Sequence, residues 1–301
     1  MNWDETRVLV VGDVMLDRWI YMKKTKISPE APIPIVVQQE YFAEIGGAGN
    51  ALRHLNNLSR AEHSLIGLRG QDPSGVEVAT LCSSKVEHIN LIIDSDRKTT
   101  VKERFFIDGE PIFRRDSEDV IPLSQEIENK IVLGISNQIG DFKVLLLSDY
   151  AKGMLSESFI ANLLHLAKTR NIPVVSDPGL GRVALFAGCD VIKPNAKEWQ
   201  EFVQIHRNEN EALTWLFFRG TKFVIVTNGK HGITLFSNSK TLSASPISEI
   251  SAVDVTGAGD SVAAAISLIV GSGEPLIDNL DILNNVGGLT VGQNRTVLPN
   301  I

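Results

Sequence analysis

Residues 8–11 form a short run of β-branched and leucine residues that ends abruptly at Gly12-Asp13. A strand buried on both faces of a parallel sheet has this form. The form recurs: residues 144–147 lead into Ser148-Asp149-Tyr150, Val174-Val175 into Ser176-Asp177-Pro178, Val191-Ile192 into Lys193-Pro194-Asn195, and residues 223–226 into Thr227-Asn228-Gly229. Between most of these runs lie segments with helical periodicity, such as 156–169 and 208–218. The alternation predicts an α/β protein with a doubly wound, mostly parallel sheet flanked by helices. The polar residues after each strand should then collect along one edge of the sheet, where open α/β sheets bind ligands.

Two stretches break the alternation. Residues 23–44 contain Pro29, Pro32 and Pro34 followed by Ile35-Val36-Val37-Gln38, and residues 89–115 hold short β-like runs with no helix between them. They predict a small β-sheet over the crevice, a lid inserted at about 14–45 and 89–115; an edge hairpin or surface loops are the competing reading. No repeat, low-complexity tract or long linker interrupts the chain, which points to a single domain over 1–301.

The stretch with the most chemistry is Asp254-Val255-Thr256-Gly257-Ala258-Gly259-Asp260, followed by an apolar run to Val270. Glycines on either side of an alanine permit a tight turn with consecutive N–H groups exposed, and the apolar run has the character of a buried helix. N–H donors and a positive dipole end then meet at one point, which suits an anion. Asp260, in the first turn, is placed to take a proton from an incoming hydroxyl, a combination that reads as phosphoryl transfer. An ordinary turn and helix cap is the plainer explanation of this string.

Composition narrows the choice. The chain has 301 residues, 43% of them hydrophobic, and a formal net charge of −7 from 29 Lys and Arg against 36 Asp and Glu. That acidity disfavours a nucleic-acid partner, and no segment is apolar for long enough to span a membrane as a helix. Cys82 and Cys189 are the two cysteines, in no metal-like spacing, and the N-terminus lacks the features of a signal peptide, so a cytoplasmic location is expected. The six histidines likewise make no metal-like spacing.

Four elements, Gly46-Gly47-Ala48-Gly49-Asn50, the 70–75 turn, Asn195-Ala196-Lys197-Glu198 and the closing 254–260 motif, together resemble the ribokinase-like (PfkB) carbohydrate kinases. A narrower likeness lies in residues 12–19, residues 27–34, Thr100-x-Lys102-x-Arg104, Arg114-x-Asp116-x-Glu118 and residues 148–153. These are similar to the kinase domain of bacterial heptose-7-phosphate kinases, which phosphorylate the anomeric hydroxyl of D-glycero-D-manno-heptose 7-phosphate on the route to ADP-heptose for lipopolysaccharide. Bifunctional relatives add a C-terminal nucleotidyltransferase domain; with the last residue at Ile301, that second activity is expected to be absent.

The resemblance implies ATP and Mg²⁺ as cofactors and a sugar phosphate as partner; the open edges of the lid strands could pair with another copy as a homodimer. A monovalent cation near the Asp254 loop occurs in many relatives. It implies Asp260 as the catalytic base, with the N–H groups of Gly257, Ala258 and Gly259 as the anion hole. Asp13, Asp17, Gly46, Gly47, Asn50 and Asp149 would line the sugar site. Lys102, Arg104, Arg114 and Lys152 are candidates for the substrate's distal phosphate, since a guanidinium takes a phosphate bidentately. Asn195 and Glu198, three apart at a helix start, would hold Mg²⁺ through water, although an Asn N-cap with Glu in a capping box explains the pair as well. Thr227, Gly229, Gly232, Thr256, Asn285 and the loop glycines would border the nucleotide.

Two departures bear on the substrate. The heptose kinases usually carry glutamine before the Arg-x-Asp-x-Glu element, where this chain has Glu110-Pro111, and lysine after the Asp-Pro turn, where it has Gly179. Other sugars, sugar phosphates or nucleosides are rival substrates, and a catalytically silent sugar- or nucleotide-binding relative is the rival of another class. A Rossmann dehydrogenase is disfavoured because the turn after the first strand lacks the glycine-rich fingerprint.

Overall fold

A computed structural model of the chain describes residues 3–85, 88–245 and 257–292. Its centre is β1 (Val8–Gly12), all five residues of which are buried. Parallel partners flank it on both sides, β4 (Ser64–Arg69) and β8 (Val144–Ser148). Beyond β8 the sheet continues in parallel through β9 (Val174–Asp177), β10 (Val191–Ile192) and β11 (Phe223–Thr227). The hairpin β12 (Ile233–Ser237) and β13 (Thr241–Ala244) closes that side antiparallel, and β5 (Ile89–Ile93) forms the opposite, parallel edge. The order is β13-β12-β11-β10-β9-β8-β1-β4-β5.

The period of two along β1 assigns its side chains to two cores. Val8 and Val10 pack with α1 (Ala48–Leu58), α7 (Ala258–Ser272) and α8 (Leu280–Gly292). Leu9 and Val11 pack with α3 (Gln125–Gln138), α4 (Glu157–Thr169), α5 (Ala196–Gln204) and α6 (Glu209–Phe218) on the other face. Strands covered on both faces need no polar side, hence the continuous apolar runs. Residues 260 to 269 of α7 are all buried, which accounts for a helix apolar all round.

A second sheet stands apart. It joins β2 (Val14–Ile27), β3 (Pro34–Gly47), β6 (Val101–Ile107) and β7 (Glu110–Ser117) in the order β3-β2-β6-β7. β2 pairs antiparallel with β3 and parallel with β6, and its exposure rises along its length as it leaves the main body. Pro111 sits on the edge strand β7 beside a register shift, where its missing N–H removes no interior ladder bond. The segment expected to begin the lid's second half at residue 89 does something else: Ile89–Ile93 pairs in parallel with β4 as the edge of the large sheet. Its half-buried apolar pattern suits such an edge, and the small sheet resumes only at Val101. The small sheet's opposite face is tied to α2 (Pro73–Lys85) by Arg18, whose guanidinium reaches Ser74 at 3.2 Å and Glu77 at 2.5 Å.

Candidate active site

Five strands end along one edge, and the polar residues after them meet there. Asp13, expected to accept sugar hydroxyls, has another task. Its Oδ2 accepts from the backbone N–H of Tyr150 at 2.9 Å and of Lys152 at 3.0 Å, and its Oδ1 from that of Met154 at 3.2 Å. At 3% exposure it braces the loop after β8, a structural task in addition to the expected sugar contact. Asp149 is engaged likewise: its oxygens accept from Ala151 N–H at 2.9 Å and pair with the Arg182 guanidinium, which also donates to the Leu155 carbonyl. Both carboxylates hold residues 150–155 in place.

The loop so fixed presents Tyr150 to α7. Gly257, in the left-handed region at φ 82°, turns the chain into the helix, whose N-terminus has no side-chain cap. Among the described residues no side chain caps its first N–H groups, those of Ala258 and Gly259 among them, a geometry that suits an anion. Asp260 is 4% exposed, and the Tyr150 hydroxyl donates to its Oδ1. Burial pushes its carboxyl up to about 7; the Asp177 charge adds to the rise, while Tyr150, Lys193 and Asn50 oppose it. A carboxyl so tuned titrates near neutrality, where a general base is most useful. Lys193, 2% exposed, pairs with Asp177 at 2.8 Å. Its ammonium lies 3.5 Å from where a β-carbon on Gly259 would stand, so a fixed positive charge adjoins the turn.

Across the crevice the small sheet turns its charged face inward. In its register Asp17 lies opposite Lys102 and Lys102 opposite Asp116, and in the next row on that face Trp19 lies opposite Arg104 and Arg104 opposite Arg114. Arg104 donates to Asp17 at 2.7 Å and lies over the Trp19 ring. Lys102 stands over the Tyr150 ring, 5.5 Å from its centroid, and burial lowers its affinity for a proton, the nearby Lys152 and Arg114 charges reinforcing this. Lys152 pairs with Glu118 at 2.7 Å, and Arg114 takes Asp116 with two bonds of 2.7 and 2.8 Å. Gly46 and Gly47 make this closeness feasible: a β-carbon on Gly46 would lie 1.9 Å from Asp17 Oδ2, and one on Gly47, at φ 63°, 2.2 Å from the Asp13 carbonyl. Asn50, in the first turn of α1 and buried, reaches both Asp260 and Arg53.

The third group lies at the ends of β10 and β11, where Asn195 and Thr227 are bridged. Asn195 caps α5 and forms a full capping box with Glu198, whose oxygens accept from the Asn195 backbone and side-chain amides at 2.7 Å each. Burial drives Glu198 up to about 7, with Asp177 contributing and the Asn195 backbone amide opposing, so this site would gain from a cation. No three His, Cys, Asp or Glu side chains gather as a metal cluster among the described residues. Mg²⁺ does not require one, since it keeps water and takes phosphate oxygens, and the hard oxygens of Asn195 and Glu198 suit it. Gly229 is open at φ 56°; Gly232, at φ 83°, is where a β-carbon would lie 2.0 Å from the Ala244 carbonyl, a packing need. Asn285 is exposed on α8, and Thr256 and Asp254 lie outside the described residues.

The sequence profile of the pfkB family carbohydrate kinases matches residues 5–301. This chain belongs to the PfkB family. Among relatives, the bifunctional protein HldE of Bradyrhizobium diazoefficiens is 32% identical over 300 residues, covering 97% of this chain and 60% of that protein. The HldE of Caulobacter vibrioides is 34% identical over 293 residues, 95% of this chain and 60% of its own length. The chain thus spans about 60% of the curated relatives it matches. Among solved structures, a carbohydrate kinase from Agrobacterium tumefaciens superposes with a TM-score of 0.72 at 21% identity, over 96% of this chain and 92% of that one. The ribokinase of Arabidopsis thaliana complexed with ribose and ATP gives 0.69 at 18%, over 98% and 94%. These likenesses show the ribokinase-like fold, and the family is one of carbohydrate kinases. No helix among the described residues is long and apolar enough to cross a membrane.

In this PfkB-family kinase, Tyr150, Asp177, Lys193 and Arg182 stand at the site without having been assigned from sequence. Lys193 and Asp177 had a usable signal, each following a buried strand at the ligand edge. Tyr150 had the same signal, two residues past the buried strand β8; Arg182 had none, because its partners, Asp149 and the Leu155 carbonyl, lie far from it in sequence.

Proposed function

We propose that this chain transfers the γ-phosphoryl group of ATP to the anomeric hydroxyl of D-glycero-D-manno-heptose 7-phosphate. The observation that carries the reading is the inward basic face of the small sheet, Lys102 and Arg104 beside Arg114 and Lys152, opposite a buried carboxylate at an uncapped helix start. A kinase for an unphosphorylated sugar has no use for this second cationic site, whereas a sugar phosphate presents a dianion some distance from the reacting hydroxyl. The motifs shared with heptose-7-phosphate kinases support the same substrate.

In the reaction, Asp260 accepts the proton of the acceptor hydroxyl as the oxygen forms its bond to the γ-phosphorus. The bond from phosphorus to the β,γ-bridging oxygen breaks, and ADP carries away that electron pair. The N–H groups of Gly257, Ala258 and Gly259 face the charge that spreads over the moving phosphoryl oxygens, with Lys193 alongside. Asp17, Gly47 and Asn50 orient the sugar. Asn195 and Glu198 would hold Mg²⁺ through water, and the ion would neutralise phosphate charge. Thr227, Gly229 and Asn285 border the nucleotide. The exposed edges β3 and β7 would pair two copies, which sedimentation of the intact chain tests.

Release of ADP from Mg·ATP is measured against both anomers of heptose 7-phosphate, the unphosphorylated heptose, ribose, fructose 6-phosphate and adenosine. Turnover confined to a heptose 7-phosphate supports the reading. Preference for fructose 6-phosphate keeps the phosphate site and discards the heptose, an outcome for which Glu110-Pro111 and Gly179 give a reason. Preference for an unphosphorylated sugar rejects the role of the basic face.

A further inference from the structure

Tyr150 touches both halves of the crevice. Its hydroxyl donates to Oδ1 of Asp260, and its ring lies under the Lys102 ammonium of the small sheet. Its backbone has little freedom, because its N–H is held by Asp13, and the next residues include Ala151 at φ 56° and Gly153 at φ 95°. A β-carbon on Gly153 would lie 2.1 Å from the Ile121 carbonyl, so the loop is packed closely as well as hydrogen-bonded.

We infer that Tyr150 is a positioning residue for phosphoryl transfer, its phenol holding one oxygen of Asp260 so that the other meets the acceptor hydroxyl, its ring registering the small sheet through Lys102. The inference rests on Asp260 being the base. An ionised carboxylate only accepts hydrogen bonds and rotates about a single torsion, so one fixed donor sets the direction of both oxygens. Tyr150 cannot be the base itself: burial, and then the Asp260 and Asp177 charges, keep its phenol protonated far above its ordinary range. Nor is it the only influence on Asp260. Asp177 from β9 repels the charged form, while Lys193 and Asn50 stabilise it, and Asp17 and Lys102 face the tyrosine from the small sheet.

The contact has a signature that simple packing would lack. A donor to the carboxylate lowers its affinity for protons, so removing the donor raises it, and the acid limb of the kcat profile, which reports the complex with substrate, moves to higher pH. The test uses the intact chain with saturating Mg·ATP and the best sugar found, in wild type, Tyr150→Phe, and protein carrying 3-fluoro- or 3,5-difluorotyrosine at position 150. The fluorinated forms keep the ring's size and a protonated, more acidic phenol, so they report even where the phenylalanine variant fails to fold.

The phenylalanine variant is expected to lose about 10–100-fold in kcat with the KM for ATP changed by no more than about twofold. Its acid limb moves up, and the fluorinated forms move it down in order of phenol acidity. Coincident acid limbs in all four proteins overturn the inference, since a phenol that merely fills the space and departs when sugar binds leaves the limb unmoved. Asp260→Asn separates the two layers: if it retains turnover, the base assignment fails and this inference with it; if it is inactive while the limbs coincide, only the role of Tyr150 is lost.

Discussion

At the start of α7 the ionised groups are few and enclosed: Asp260 is 4% exposed and Lys193 2%, and each has partners from other elements of the main body. On and beside the small sheet the ionised groups are many and more open, with the side chains of Arg114 and Arg104 at 54% and 24% exposure and that of Lys152, from the loop after β8, at 19%, each paired with an acid on the small sheet or just after it. The enclosed set works in a low-dielectric setting where one charge alters the next strongly, and it cannot rearrange cheaply. The open set is screened by solvent, and its acid–base pairs can exchange partners when a dianion arrives. Chemistry that is common to a kinase family belongs in the first kind of setting. Choice of substrate, which differs between relatives, belongs in the second.

The sharpest way to break the contrast is at the base. Asp260→Asn is expected to lower kcat by at least about 10³-fold, because proton removal from the acceptor has no substitute nearby. A loss below tenfold would move the base elsewhere. Next is the buried pair. Lys193→Met leaves Asp177 without its partner, and removing one member of such a pair costs about 3–5 kcal/mol of stability. Chemical denaturation measures it, and a change under ~1 kcal/mol would mean the site is wetter than its burial implies. A smaller effect is the pH profile of kcat/KM in the wild type. Asp260, held up to about 7, must lose its proton to act, so the rate rises with pH through neutrality, and at pH 6 it should stand at about a tenth of its plateau. An acid limb near ~4, the ordinary carboxylate range, would contradict the enclosed setting.

Much of the enclosed half was readable from residue order. Residues 8–11, 144–147 and 223–226 announced strands because burial on both faces demands unbroken apolar runs, and the loop before α7 announced itself because only glycine tolerates its turn. The loop-bracing task of Asp13 and Asp149 was not legible, because a carboxylate after a strand looks the same whether it meets a sugar or a loop. The donors that occupy Asp13 come from 137 to 141 residues away and include backbone N–H groups, which no residue type discloses. Ile89–Ile93 was drawn into the lid because a half-buried edge strand and a lid strand share one pattern; only its pairing with β4 tells them apart. Of the two readings of Asn195 and Glu198, the capping box forms, and the raised Glu198 carboxyl is what leaves room for the proposed cation.

The central claim is that the small sheet holds the substrate's own phosphate while the α7 loop handles the one being transferred. Arg104→Ala tests it most directly, with separate KM values for the phosphorylated sugar and for ATP. Loss of a charge-assisted guanidinium contact should raise the first by about 10–100-fold and leave the second within about twofold. Equal rises in both, or a change in neither, would contradict the division of labour between the two regions.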